Sequence, residues 1–203
     1  MAAQLLRRPG RDDKMRSNMW QKAYRLIVEP EKSWRAIKEE SPEIKSLFTG
    51  YALPLMVIPL ASAIVKVVLG RGPFITWSFI WGIMASSLVN YILAAAALLL
   101  AGWLVSVLAQ YFSSRTDLSS AMKLIVYAMT PVWLTSIFGI VPKLAGLSVL
   151  GLYAVFLVYN GVPVILETPP EKHTAFAAAI VALGIFILTY LSITAGGLVL
   201  PLT

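Results

Sequence analysis

Charged and apolar residues separate along this chain: charges crowd the first 46 positions and then almost vanish. Between Lys45 and Lys66 lie 20 uncharged residues, and between Arg71 and Arg115 lie 43. Leu124–Val141 and Leu144–Leu166 add uncharged runs of 18 and 23, and Phe176–Leu200 is a fifth apolar stretch. About 20 apolar residues in a helix cross a bilayer core. The pattern therefore predicts five spans, at about 47–69, 84–110, 122–141, 144–166 and 176–200. Pro54 and Pro59 should bend the first span without ending it, and Gly70–Pro73 reads as a tight turn.

The 43-residue run would extend about 60 Å as one helix, more than a bilayer core requires. It is also short for two spans plus a polar turn. The sequence suggests an interfacial or re-entrant piece around Phe74–Gly82, holding Trp77 and Trp81, before a span from Ser86 to Leu108. One long second helix including 74–85 is the other reading. Small residues at Ala97/Ala101 and Gly102/Ser106 permit close helix approach, within the chain or between copies.

Ahead of the spans, residues 1–17 read as a mobile basic arm, with no apolar region and cleavage site of a signal peptide. Arg7, Arg8 and Arg11 would each gain about 1 kcal/mol near anionic headgroups; a solvated tail without a partner is the plainer reading. Residues 18–45 read as amphipathic interfacial helices. Trp20, Tyr24 and Ile27 follow helical spacing with Lys22 and Arg25 between them, Pro30 interrupts, and Trp34 and Ile37 share the next apolar face. The segment is too short to bury a core of its own, so it should lie on the membrane or on the bundle. Residues 46–203 then form the transmembrane domain. The fold class is all-α: a polytopic five-helix bundle with an N-terminal interfacial amphipathic helix.

Composition agrees, with 58% hydrophobic and 13% charged residues in 203, outside the range of ordinary soluble domains. Without cysteine, thiolate catalysis and thiolate metal sites are excluded. The net charge of +7 sits mostly outside the spans: residues 1–46 carry 11 Lys/Arg, and the remainder carries 6. That placement favours anionic lipid over nucleic acid as a partner. With the N-terminus inside, 14 basic residues fall on one side and 3 on the other. The expected orientation is therefore N-terminus cytoplasmic and C-terminus outside.

Enzymatic chemistry finds little support. His173 is the sole histidine and reads as a solvated turn residue; Asp12-Asp13 and Glu39-Glu40 are adjacent pairs, not convergent ligands. No phosphate loop, metal motif or nucleophile elbow is present, so no cofactor is expected. A transporter would normally carry ionisable groups within its spans. Here Lys66 and Glu167 lie at span edges, leaving Asn90, Gln110, Tyr127, Thr130, Asn160 and Tyr190 as interhelical hydrogen-bond partners or a narrow polar path. No inverted repeat is evident.

Several motifs together resemble bacterial Yip-domain proteins, the Yip family of five-span membrane proteins. They are Glu29-Pro30-Glu31-Lys32-Ser33-Trp34-Arg35-Ala36-Ile37, Tyr127-Ala128-Met129-Thr130-Pro131-Val132-Trp133-Leu134, Leu152-Tyr153, Leu157-Val158-Tyr159-Asn160-Gly161-Val162-Pro163 and Pro170-Glu171-Lys172. The resemblance runs from about Leu26 to the fifth span. It marks Pro30, Trp34, Tyr127, Pro131, Trp133, Tyr153, Tyr159, Gly161 and Pro163 as motif and bundle-core candidates, beside Arg7, Arg8, Arg11, Trp20, Lys22 and Arg25 as lipid-interface candidates. It implies a multi-pass protein of a bacterial inner membrane with a cytoplasmic N-terminus. Eukaryotic relatives are associated with prenylated Rab GTPases, a partner not carried over to a bacterial chain. The expected role is a non-enzymatic scaffold that organises the membrane or binds lipid or another membrane protein, with a homo-oligomer as one form. The alternative is translocation of a small solute or lipid along Tyr127, Pro131, Asn160 and Pro163. Topology reporters fused at Ser114 and Lys143 should read opposite sides of the membrane; the same side for both would refute the span assignment.

Overall fold

The computed structural model describes residues 19–40, 43–71 and 76–199. Arg7, Arg8 and Arg11 lie outside the described residues. Two short helices, α1 (Met19–Val28) and α2 (Pro30–Glu39), precede five helices long and apolar enough to cross a membrane. These are α3 (Ile44–Gly70), α4 (Trp77–Phe112), α5 (Leu118–Ile140), α6 (Pro142–Ile165) and α7, which spans Pro170–Thr194 and continues to Val199. Among the described residues there is no strand.

Local sequence accounts for the boundaries. Pro30 opens α2 at a position where its missing N–H costs nothing, with Glu31 in the first turn and Lys38 in the last, as the helix dipole favours. The Asp117 carboxylate caps α5 by accepting from the Ser120 N–H at 2.9 Å. In α3 a π-helical turn, Phe48–Ala52, precedes Pro54, and the helix continues through Pro59 without a break. Trp77 and Trp81 belong to one unbroken helix, Trp77–Ala109, so residues 77–82 continue directly into the second span; Phe74 lies outside the described residues.

The core is built around α5, in which every residue from Ser120 to Ala128 is buried. It packs on α3, α4 and α6, while α7 closes the far side against α4 and α6. Gly102 on α4 lets Met122 come so close that a Cβ there would lie 1.8 Å from its sulfur. The small face of α4 thus serves packing within the chain at that point. Beyond Thr135 the third and fourth spans change character: Ser136–Ile140 and Pro142–Leu152 are 3-10 helix, joined at Val141 in extended conformation (φ −102°, ψ 114°). At about 2 Å per residue, this tighter helix gives the short third span extra reach.

The helical pair α1–α2 does not stand away from the bundle. Leu26 and Trp34 are fully buried, with Ala23 and Ile37 nearly so, and α2 packs along α6. Trp34 lies over Gly161: a Cβ on that glycine would sit 2.9 Å from the indole and 2.5 Å from Leu124 of α5. Replacing Gly161 with alanine should therefore cost about 1–3 kcal/mol through overpacking, and Trp34→Ala about 3–5 kcal/mol through the cavity it leaves. Trp34→Phe should cost much less than Trp34→Ala, because the indole Nε1–H has no acceptor among the described residues. Unfolding of the purified variants in detergent measures all three; an unaltered Gly161→Ala protein would contradict the contact.

Candidate functional site at the docked end of the bundle

Three contacts set the α1–α2 pair alongside α6 in one register. The Tyr153 hydroxyl donates to the Ile27 carbonyl at 2.9 Å, Trp34 covers Gly161, and the Lys38 ammonium meets Glu167 at 2.9 Å. Advancing along α2 advances along α6 and just past its end, so the two helices run in the same direction.

Both proline motifs release a tyrosine carbonyl, and both carbonyls are satisfied. Pro131 has no N–H for the Tyr127 carbonyl four residues earlier; the Thr130 hydroxyl donates to that oxygen at 2.7 Å. Having given its proton there, Thr130 accepts from the Tyr51 hydroxyl at 2.8 Å, which ties α3 to α5. The Tyr51 and Tyr127 rings lie 4.6 Å apart. Pro163 likewise releases the Tyr159 carbonyl, which meets His173 Nε2 of α7 at 2.6 Å. A carbonyl only accepts, so Nε2 carries the proton in this contact. The His173 ring also packs on the Tyr159 ring, at 4.3 Å between centroids. His173 is thus a structural donor, a role the turn sequence around it did not announce.

Charges at this end meet one another. Lys22 pairs with Glu40 at 2.7 Å, and the Lys123 ammonium, almost fully buried, donates to the Glu40 carbonyl. Arg115 pairs with Asp117 and lies 3.8 Å from Glu167, while its backbone N–H donates to the Leu166 carbonyl at 2.7 Å. Burial would raise the Asp117 carboxyl, but hydrogen bonds from Ser120 and the Arg115 guanidinium outweigh it and hold the group below its ordinary range. Lys38, and then Arg115, do the same for Glu167. Glu167 itself sits in the left-handed region at φ 52°, at the sharp exit from α6. A polar cavity of about 370 Å³ opens among Lys38, Arg115, Asp117, Ser119, Ser120 and Lys123. Three cationic side chains and one carboxylate line it: Asp117 pairs with Arg115, Lys38 with Glu167 beside the lining, and the Lys123 ammonium rests on a carbonyl. No group of three or more His, Asp or Glu suited to a metal occurs among the described residues.

A second, larger cleft of about 620 Å³ lies between α4, α5, α6 and α7 and is lined almost wholly by hydrocarbon. Tyr127, Pro131, Asn160 and Pro163 do not line it. Asn160 instead donates to the Phe156 carbonyl of its own helix at 2.8 Å.

The Yip1 domain matches residues 24–191, from within α1 to near the end of the fifth span. The chain belongs to the Yip1 domain family. It is similar to the Inner membrane protein YohC of Escherichia coli K12, with 23% identity over 175 residues covering 82% of this chain and 89% of that one. The same protein from Escherichia coli O6:H1 strain CFT073 matches to the same extent. No solved structure gives a significant match. The protein is accordingly an integral membrane protein of the Yip family with five membrane-spanning helices. Because the domain begins in α1, the docked pair is part of the domain and not an appendage to it.

Within that domain, Trp34, Gly161, Tyr127, Pro131 and Trp133 are buried, while Pro30, Tyr153 and Pro163 are half-buried. Tyr159 remains 43% exposed, with its backbone rather than its hydroxyl engaged by His173. Of the lipid-interface candidates, Trp20 and Arg25 face outward, whereas Lys22 is committed to Glu40. Sequence reasoning missed Tyr51, Glu40, Lys123, Arg115 and His173 as partners. The tyrosine-to-proline spacing of four, present at both Tyr127–Pro131 and Tyr159–Pro163, was the available sign that two carbonyls needed donors.

Proposed function

We propose that this protein is a non-enzymatic scaffold of a bacterial inner membrane, N-terminus cytoplasmic, which presents α1 as a fixed surface to lipid or to another membrane protein. The observation that carries the reading is the double face of α1. Ala23 and Leu26 are buried on the bundle, yet Trp20, Tyr24 and Val28 form a stripe at i, i+4 and i+8 that stays 49%, 66% and 55% exposed. Aromatic residues with one apolar side and one polar tip suit the headgroup region. Arg25 beside them adds attraction to anionic lipid. The inner-membrane location draws on the name of the Escherichia coli relative, and the orientation on the distribution of basic residues. Translocation along Tyr127, Pro131, Asn160 and Pro163 draws less support, because none of them lines the large cleft.

The chain has no cysteine, so single thiols can be introduced cleanly. A maleimide should label Tyr24→Cys at least five-fold more slowly in native membranes than in detergent, while Lys32→Cys labels equally in both. Equal rates at Tyr24→Cys would overturn the reading. Protection that persists in nanodiscs of purified lipid assigns the surface to lipid; protection lost there assigns it to a protein.

A further inference from the structure

The 620 Å³ cleft has properties that a packing defect lacks. Its walls come chiefly from four spans, with Met56 of α3 added, and small residues make the room: Ala94, Ala97 and Ala101 on α4, Ala154 on α6, and Gly184 on α7. A Cβ built on Gly184 would meet nothing within 4 Å. Of the three hydroxyls at its wall two are already used, Thr135 on the Pro131 carbonyl at 2.7 Å and Ser136 on the Trp133 carbonyl at 2.6 Å, which leaves Ser148 in an otherwise hydrocarbon lining. Water entering the cleft would find few polar partners, and a buried water requires two to four. An empty space of this size would forfeit dispersion contacts along every wall. The remaining filler in a bilayer is hydrocarbon.

The dimensions narrow the choice. Along α7 the lining runs from Ile180 to Leu191, about 16 Å at 1.5 Å per residue. One leaflet of a hydrocarbon core of about 30 Å is about 15 Å deep. An extended acyl chain of one leaflet matches that length. Ile180, Val158, Leu98 and Ala101, all buried, close the end nearest the packed core. The 3-10 stretch of α6 helps to open the cleft, because it packs chiefly on the second half of α5.

We propose that the cleft between α4, α5, α6 and α7 is a binding site for a single acyl chain of a bilayer lipid. The site is independent of the outward face of α1, and its test leaves that face intact. The full-length protein would be placed in nanodiscs of phosphatidylethanolamine and phosphatidylglycerol containing a phospholipid with a photoreactive diazirine on one acyl chain. After illumination, adducts should concentrate on inward residues such as Ala97, Ala154 and Gly184, relative to Phe186 and Ile193, which are each 70% exposed. Gly184→Phe, which fills open space, should lower the inward adducts at least five-fold; the outward Ile193→Phe should leave them unchanged. Should Gly184→Phe not elute as a folded protein, Ala154→Leu is read in the same way. Adducts equal on inward and outward residues, or insensitive to filling a folded variant, would overturn the site in favour of ordinary surrounding lipid. A cross-linked dimer sealed through the cleft would overturn it in favour of a second copy.

Discussion

The absence of a Cβ at Gly161 is the constraint on which the rest of the structure depends. It lets the Trp34 indole lie against α6 while Leu124 of α5 approaches the same point, so that one amphipathic helix and two spans meet at a single position. Once Trp34 is seated, Ile27 comes within reach of the Tyr153 hydroxyl and Lys38 within reach of Glu167. These polar contacts then define the register without having to drive the docking. The driving term is the burial of Leu26, Trp34 and Ile37, each of which gains by leaving water. An indole N–H without an acceptor is tolerated there, which indicates that Trp34 serves for its surface and shape.

Pro131 and Pro163, inside apolar helices, impose the second condition. Each frees a carbonyl that lipid cannot satisfy, and the chain answers with a hydroxyl in one place and an imidazole in the other. In doing so it links elements distant in sequence: Tyr51 of α3 to Thr130 of α5, and His173 of α7 to the fourth span. Thr130 in the third span and the Tyr159 carbonyl in the fourth are therefore joints between helices.

Much of this architecture was legible in the sequence. Long uncharged runs have few physical outcomes, so five spans followed directly, and the Pro142 junction marked the reversal between the third and fourth. The length of α4 was not legible, because Trp77 and Trp81 suit an interfacial piece and a helix end equally well. Nor was the docking of α1–α2, since the apolar stripe of Leu26, Trp34 and Ile37 has the same spacing whether it meets lipid or protein. The large cleft was hidden for a related reason: Ala97, Ala101 and Gly184 look like a packing face, and only the splay of the surrounding helices shows that some of them face space. The change to 3-10 helix after Thr135 leaves no mark in an apolar run.

The Yip-domain bundle thus combines a docked N-terminal helical pair with an apolar cleft among its spans. All of it presumes that α2 rests on α6 in the native membrane. The most direct measurement introduces cysteines at Lys38 and Glu167 in the cysteine-free chain and treats native membranes with a short bismaleimide. Docking predicts efficient cross-linking within a single chain, well above that of a control pair at Arg35 and Ile193. A yield no greater than the control would show that the pair is free of the bundle and would contradict the account.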